Sequence, residues 1–354
     1  MNKRIALATL GLLLHAGLTQ AAPFVDVLDM PAKRSELAAQ SPLLDVAEAG
    51  QRLVAVGQRG HILYSDDGGK LWKQAEVPVS SDLTAVFFPT PSEGWAVGHD
   101  GVVLHSSDAG QSWEKQLDGR QIGQLMLDRY AGVEHWQDEA QRLAKEGADK
   151  PFLDVWFANE REGFVVGAFN LILRTVDGGR HWQPWIDRVD NPSGFHLTAM
   201  ASDGEHLFLA GEQGLLLRMN AAGERFEALQ SPYQGSYFGV YAEPGVVLAY
   251  GLRGNVFRST DGGANWAQIA IGLPVSITAS ARGADGRLYL FSQAGHALVS
   301  ADHGATFQPL DTGALVPVTD ALANGDAGLV LVGNRGLVQR PLIAAKPAAA
   351  AKQE

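Results

Sequence analysis

The chain has 354 residues, a formal net charge of −11 and no cysteine. This acidic balance argues against general binding to nucleic acid or to anionic membranes, because both repel a negatively charged surface. Without cysteine, we expect neither disulfides nor a cysteine-linked lipid anchor. Hydrophobic residues make up 46% of the chain, enough for a large core, and the 41 glycines indicate many tight turns.

The first 22 residues have the features of an export signal. Lys3 and Arg4 precede an apolar run over residues 5–14, and the small residues Ala21 and Ala22 follow. This order is typical of a cleaved signal peptide, and the apolar run is too short to span a membrane. We therefore expect residues 1–22 to be removed and the mature protein to be periplasmic, without direct membrane insertion.

Residues 23–343 contain seven copies of one sequence unit. Each unit has an apolar strand that ends near a glycine, a short turn, and a second strand. The positions that end the first strand recur about every 40 residues, apart from one longer interval between the second and third. They are Gly57, Gly98, Gly167, Gly211, Gly251, Ser292 and Gly333. Seven units of this length predict an all-β fold, a seven-bladed β-propeller with four strands in each blade. Residues 344–354 are predicted to be a disordered tail.

A second motif, the Asp box, follows the second strand of most units. Its pattern is Ser/Thr-x-Asp-x-Gly-x-x-Trp/Phe, in which the carboxylate can accept backbone N–H bonds across a turn and the ring packs between sheets. Because the motif recurs once per blade, we interpret its acids as structural and not catalytic. The complete copies carry Asp67, Asp108, Asp177, Asp261 and Asp302, followed by Trp72, Trp113, Trp182, Trp266 and Phe307.

Two units depart from this pattern. The fourth copy, from Met219 to Phe226, lacks the Ser and the Asp but keeps the glycine and the aromatic residue. The seventh unit ends before an outermost strand. The strand-like segment of residues 24–30 has no partner at the other end of the chain. We therefore predict that it pairs beside residues 337–340 and closes the ring, which removes two exposed sheet edges.

The repeat also predicts which loops share a face of the propeller. With strands A to D numbered from the axis outward, the Asp boxes are C–D turns. The B–C turns then lie on the opposite face, together with the crossovers between blades. Three B–C turns carry an arginine, Arg59, Arg253 and Arg335. On an acidic chain these side chains predict a cationic partner-binding patch. The alternative is that they are solvated turn residues without a specific contact.

The long interval places an insertion of residues 118–150 between blades two and three, on the face of the B–C turns. Its apolar residues recur at steps of three or four, which indicates helix, and Gly132 divides it into two. The stripe consists of Ile122, Met126, Tyr130, Val133, Trp136, Ala140 and Leu143. The insertion either packs its stripe on the propeller or serves as a docking element, and we favour a mixture of both.

No catalytic, metal or cofactor motif stands out in the sequence. The histidines are scattered, and neither a nucleophile elbow nor a phosphate-binding loop is present. Asp boxes also occur in sialidases, so a carbohydrate-active propeller is the alternative function. It would combine the three arginines with Tyr237 and either Glu212 or Asp100, but the local sequences do not support that pairing.

The segment VGQRGHILYSDDGGKLW, from Val56 to Trp72, resembles the photosystem II stability/assembly factor-like propellers. The resemblance extends over all seven units. It implies a non-catalytic assembly chaperone with an arginine patch on one face, and only Arg59, Arg253 and Arg335 match the patch positions. Similar proteins of proteobacteria accompany RND-type exporters. The resemblance thus implies a monomeric periplasmic accessory factor that binds a protein partner, such as a membrane complex of that type.

Overall fold

The computed structural model describes residues 25–313, 316–324 and 328–341. Seven antiparallel sheets follow one another along the chain, and the innermost strand of each packs beside the innermost strand of the next, with the seventh beside the first. The predicted seven-bladed β-propeller is therefore confirmed. None of the helices among the described residues is long and apolar enough to cross a membrane.

Six sheets have four strands and the seventh has three. Blades one to three comprise β1 Leu43–Ala49, β2 Arg52–Gly57, β3 Ile62–Ser65, β4 Lys73–Gln74, β5 Leu83–Phe87, β6 Gly94–Gly98, β7 Val103–Ser106, β8 Glu114–Leu117, β9 Phe152–Phe157, β10 Gly163–Gly167, β11 Ile172–Thr175 and β12 Gln183–Pro184. Blades four to seven comprise β13 Leu197–Ser202, β14 Leu207–Gly211, β15 Leu216–Met219, β16 Phe226–Ala228, β17 Tyr237–Glu243, β18 Val246–Gly251, β19 Val256–Ser259, β20 Ala267–Gln268, β21 Ile277–Arg282, β22 Leu288–Ser292, β23 Ala297–Ser300, β24 Gln308–Leu310, β25 Asp320–Ala323, β26 Leu329–Gly333 and β27 Gly336–Arg340.

The second strand of each blade forms the centre of the core. In β6, β10 and β14 every residue is buried, because the neighbouring blades cover both faces of the strand. The glycine that ends such a strand lies against the incoming crossover. A Cβ atom at Gly57 would lie 2.4 Å from the carbonyl oxygen of Pro42, so this close approach requires glycine.

Polar side chains near the axis join neighbouring blades around the ring. Each bond links a side chain of one blade to the next blade, and every junction has at least one. In ring order they are Asp45 Oδ2 from Val86 N (2.7 Å), Thr84 Oγ1 to Phe152 O (2.7 Å), Asp154 Oδ2 from Met200 N (2.6 Å), Thr198 Oγ1 to Tyr237 O (3.0 Å), Tyr250 Oη to Ser280 Oγ (3.0 Å), Thr278 Oγ1 to Val318 O (2.7 Å), Thr319 Oγ1 to Leu43 O (2.8 Å) and Asp320 Oδ2 from Val46 N (3.2 Å).

The predicted closing strand is wrong. Residues 25–30 form a turn, and β27 pairs with β26 but with no other strand among the described residues. Leu28 is buried beside Val77 and Val79, at the outer edge of blades one and two, where its apolar side chain is covered. Within the described part of the chain, the seam between blades seven and one has no shared strand. Two axial bonds and the side-chain bonds of Asn324 and Gln339 to Gly68 O join the two blades. Phe24, part of the predicted strand, lies outside the described residues.

The insertion between blades two and three is helical, as predicted. Helix α1 covers Gly119–Arg129 and α2 covers Glu134–Glu146, and Gly132, with φ 76°, lies in the break between them. A Cβ atom at Gly123 would lie 2.4 Å from Ala144, so glycine lets the two helices approach closely.

Candidate functional site

The B–C turns share one backbone geometry in blades one to five. The middle residue of each adopts a left-handed conformation, with φ of 59° at Arg59 and 58° at Arg253. Such a conformation usually favours glycine, because a Cβ atom costs about 1 kcal/mol there. Asp100, Phe169 and Gln213 occupy the same position in the other three blades. The residue at this position therefore varies among the five blades, which carry Arg, Asp, Phe, Gln and Arg in chain order.

The three predicted arginines lie on the same face of the ring and are exposed. Within the described residues, none of their guanidinium groups has a carboxylate oxygen within 4.0 Å. The turn of Arg59 is anchored through its backbone, whose N–H donates to Asp82 Oδ1 at 2.7 Å. These side chains are thus positioned by the turn and free to bind an anion. Whether they bind a partner stays a prediction.

Arg335 has a different backbone setting from the other two. In blade seven Gly333 pairs with Gly336, so Asn334 and Arg335 form a two-residue turn, and Gly336 takes the positive φ of 82°. In blade one the pairing is Val56 with Ile62, which leaves a longer turn. The shorter turn shifts the pairing of β27 by one residue, and such a shift exchanges the faces of a strand.

A groove of about 640 Å³ lies on this face, between α2 and the B–C turn of blade three. Trp136 and Leu143 of α2 line one wall, and Phe169 and Ile186 line the other. Phe169 is 52% exposed despite its size. Its ring lies 4.5 Å from that of His196, which fixes its orientation. An exposed ring in a strained turn beside a groove is a candidate contact residue.

The insertion is packed against the propeller. Ile122, Met126 and Tyr130 of its stripe are buried, whereas Val133 is exposed at the break between the helices. The Tyr130 hydroxyl donates to Asp187 Oδ1 at 2.8 Å, and burial raises the pKa of this tyrosine. The stripe therefore has mainly a packing role, and the helix α2 contributes to the groove.

The N-terminal segment secures the start of α1. Asp118 caps the helix by accepting the N–H of Arg120 at 3.1 Å. The Arg120 guanidinium also binds both carboxylate oxygens of Asp29, at 2.7 and 2.9 Å. The hydrogen bond from Arg120 lowers the pKa of Asp29 to about 2. The residues just after the predicted leader thus lie beside the insertion.

On the opposite face, each complete Asp box holds its own turn together. In blade five the Ser259 hydroxyl accepts Gly263 N–H at 2.9 Å and donates to Asp261 Oδ1 at 2.8 Å. Asp261 in turn accepts the backbone N–H of Asn265 at 2.9 Å, and Trp266 Nε1 donates to Gly263 O at 3.0 Å. The bonds are internal to the turn. The bonds of the Ser/Thr hydroxyl and of the Asp carboxylate recur in the other complete boxes, and the indole bond recurs at Trp72 and Trp113.

These bonds stabilise the ionised form of the box carboxylates. The side-chain bond from Asn265 lowers the pKa of Asp261 to about 2, and that from Thr306 does the same for Asp302. At Asp177 burial acts in the opposite direction, but the bonds from His181 and Thr175 prevail, and its pKa is also about 2. Carboxylates that remain ionised at every physiological pH have no proton to donate in acid catalysis.

The groups that a sialidase-like mechanism would use are not brought together. Tyr237 is fully buried, its hydroxyl is 2.9 Å from Ser231 Oγ, and burial raises its pKa to about 12. It packs against Tyr233 and Phe257 beneath the B–C turn of blade five, where it is covered from solvent. Among the described residues, no three metal-ligating side chains come together.

Two features of this face were not singled out from the sequence. Phe169 occupies the place in the repeat that Arg59 has in blade one, and this equivalence is the signal by which the sequence could have indicated it. The groove depends on how the insertion folds back on blade three, which no local pattern predicts.

Comparisons with known proteins agree with this architecture. A family model described as "Photosynthesis system II assembly factor YCF48" matches residues 27–126 and 131–312 of the chain. The photosystem II assembly lipoprotein Ycf48 of Synechococcus sp. (strain CC9902) is 29% identical over 118 residues, which covers 32% of this chain. The match extends over only 35% of that relative's length.

Solved structures show the same fold at low sequence identity. A structure described as YCF48 bound to D1 peptide has a TM-score of 0.65 and 18% identity, and the match covers 86% of this chain and 95% of that one. YCF48 from Cyanidioschyzon merolae has a TM-score of 0.64 and 14% identity over 86% of this chain and 96% of its own. The WD40 propeller domain of Doa1 has a TM-score of 0.59 at 8% identity, with 88% and 95% of the two chains covered.

Proposed function

Because the chain belongs to the YCF48 family of photosystem II assembly factors, we propose that it is a non-catalytic accessory factor that binds a protein partner through its B–C turn face. The observation that carries this proposal is the set of exposed arginines Arg59, Arg253 and Arg335, which have no carboxylate partner among the described residues. They lie on the face that also carries the insertion and its groove. Tyr237, the candidate nucleophile of the alternative function, is fully buried.

The arginines of the B–C turns favour an anionic partner segment. The chain as a whole is acidic, so its long-range field repels anions, and a local cluster of arginines selects a carboxylate-rich segment at short range. Arginine forms paired hydrogen bonds to carboxylates, and the neighbouring blades seven and one offer two such groups, Arg335 and Arg59. A family member that binds a peptide supports a polypeptide partner for this chain.

The residues of the predicted leader support an exported, periplasmic protein, and the lipoprotein name of the Synechococcus relative is consistent with export. We propose that the chain acts as a monomer and that its partner is a membrane complex, such as an RND-type exporter. The acidic chain disfavours nucleic acid as a partner, and no cofactor is required for such a role.

Charge reversal on the two faces tests the proposal. The pair Arg59→Glu and Arg335→Glu changes the B–C turn face, and the pair Arg161→Glu and Arg180→Glu makes the same charge change at exposed residues of the Asp-box face. Each purified protein is used to capture membrane proteins from its own organism, after circular dichroism has established that it is folded. We expect the first pair to reduce recovery of the wild-type partners at least about tenfold and the second to leave it unchanged.

Equal recovery by both variants would place the partner site elsewhere. Added salt should weaken wild-type capture in the same direction as the first pair, since the contact is electrostatic. Turnover of aryl sialosides by the wild-type protein that disappears in Arg253→Ala would favour the carbohydrate-active alternative instead.

A further inference from the structure

On the Asp-box face, a second set of bonds joins neighbouring blades. A side-chain nitrogen of one blade donates to a backbone carbonyl in the Asp box of the next. This occurs at every junction whose second blade has a complete Asp box. The bonds run from Arg52 to Ala109 O (3.2 Å), Gln116 to Gly178 O (2.8 Å), Arg218 to Gly262 O (2.8 Å), Arg258 to His303 O (2.8 Å) and Gln339 to Gly68 O.

Arg174 of blade three occupies the same strand position as Arg218 and Arg258. Each of these arginines pairs with the second strand of its blade at an equivalent register. The Arg174 side chain nevertheless makes no hydrogen bond to any described residue, and its buried Nε has no acceptor among them. None of the described carboxylate oxygens lies within 4.0 Å of its guanidinium nitrogens. A buried cationic N–H is costly to leave without an acceptor, so the Arg174 guanidinium can gain from an acceptor group that the described residues do not supply.

The incomplete Asp box of blade four explains why no backbone carbonyl of that blade accepts a bond from Arg174. There Asn220 holds the turn by accepting Glu224 N–H at 3.0 Å, in place of the Ser and Asp of the other boxes. A Cβ atom at Gly223 would have nothing within 4 Å. The equivalent atoms at Gly110 and Gly304 would lie 3.0 Å from Val54 and 2.8 Å from Leu248 of the preceding blade. The fourth turn therefore contacts blade three only at its end, where Arg188 donates to Glu224 O at 3.3 Å, and not around Gly223, which faces Arg174 in the repeat.

The gap between these blades is a pocket of about 560 Å³, within the range of small-molecule sites. Trp156 and Phe164 of blade three and Met219 of blade four form apolar walls, and Arg174 also lines it. The Arg174 guanidinium lies 4.9 Å from the Trp185 ring, which orients it. The polar residues Glu162, Glu205 and His206 lie around the same pocket.

We propose that this pocket binds a small molecule that carries a carboxylate on a ring-shaped, largely apolar body. The carboxylate would accept hydrogen bonds from the Arg174 guanidinium. It would thus take the role that a backbone carbonyl of the next blade has for Arg218 and Arg258. The ring would pack against Trp156 and Phe164. Because the pocket is on the Asp-box face, this site is separate from the proposed partner face and does not depend on it.

Ligand titrations followed by NMR test the site. Benzoate is the probe and benzyl alcohol is its uncharged counterpart of the same ring size. We expect benzoate to bind the full-length wild-type protein and benzyl alcohol to bind at least about tenfold more weakly, because only benzoate can pair with the guanidinium. Arg174→Met should weaken benzoate about tenfold, and Arg258→Met, at the equivalent position of blade five, should not change it.

Thermal unfolding gives an independent readout of the same contrast. Arg258→Met removes a bond to the next blade and should lower the melting temperature, whereas Arg174→Met removes no such bond and should not. Two results would each overturn the proposal. One is benzoate affinity that is undetectable in the wild type or equal in Arg174→Met. The other is a loss of stability in Arg174→Met as large as that in Arg258→Met, which would mean that Arg174 already has a protein partner.

Discussion

Strand C of each blade lies between two turns that are built in different ways. The C–D turn is held by its own side chains, as in the Ser259 and Asp261 bonds of blade five. The B–C turn of blade five is held by Gly251 N–H to Asn255 O at 3.1 Å and by Asn255 Nδ2 to Leu252 O at 2.9 Å, and the side chain of its middle residue, Arg253, makes no hydrogen bond to a described residue. A turn that needs no particular side chain at its middle position can vary there from blade to blade, so recognition is expected at the B–C turns and stability at the Asp boxes.

The largest expected effect is on stability at the Asp-box end. Ser259 is 1% exposed, and Ser259→Ala leaves the buried Gly263 N–H without its acceptor. We expect a loss of about 1–3 kcal/mol in the free energy of unfolding. Arg253→Ala, at the other end of the same strand, should change it by less than about 0.5 kcal/mol. Urea unfolding of both variants measures the difference. Equal losses would show that the two turns contribute equally to stability.

The next expected effect is on the pH dependence of stability. Asp261 and Asp302 have pKa values of about 2 in the folded protein, below the unfolded value of 3.8. Their contribution is present above pH 4 and is lost as the pH falls towards 2, because protonation removes the carboxylate that accepts the turn N–H groups. Unfolding midpoints measured across this range should fall, and Asp302→Asn should reduce the slope.

The axial carboxyl of Asp154 should act in the opposite sense. Burial raises its pKa to about 7, against the bonds from Met200 and Val155 N–H. Between pH 4 and 7 the folded protein keeps a proton that the unfolded chain releases, so this group lowers stability as the pH rises. Asp154→Asn should flatten that part of the profile while leaving the acid side unchanged. An unaltered profile would show that Asp154 is already ionised at pH 5.

A smaller gain is expected from completing the fourth box. Met219→Ser together with Ala221→Asp restores the motif around Gly223, and the repaired turn can then offer a carbonyl to Arg174. We expect stability to rise by about 1 kcal/mol, the usual net value of a hydrogen bond, and benzoate binding to disappear. Ala221→Asp alone is the control, because it adds the charge without the Ser hydroxyl. A stable double variant that still binds benzoate would show that benzoate binding does not depend on the incomplete box of blade four.

The smallest expected change is at the B–C end. Arg59→Gly relieves a left-handed conformation with φ 59° but adds freedom to the unfolded chain. These two effects oppose each other, so the melting temperature should stay within a few degrees of the wild type. Partner capture should nevertheless weaken, since the guanidinium is gone. A clear loss of stability would mean that the Arg59 side chain supports the fold.

Local sequence patterns predicted the number of blades, the strand order within them and the helical insertion. Each of these features depends on contacts between residues less than about 40 positions apart. The Asp-box residues and the regular spacing of apolar residues predict such contacts directly. The arginines on the B–C turns could also be assigned to one face, because strand alternation in a blade determines which turns share an end.

Only the tertiary structure decided how the ring closes, where the groove lies and which arginine lacks a partner. The closing strand was predicted from unpaired edges, yet Leu28 is buried against blades one and two, and Thr319 and Asp320 bond blade seven to blade one. Arg174 and Arg258 occupy equivalent positions in the repeat, yet a carbonyl of the next blade accepts a bond from Arg258 and none of the described residues accepts one from the Arg174 side chain. Contacts between blades depend on residues far apart in the chain, so no single repeat contains the information that specifies them.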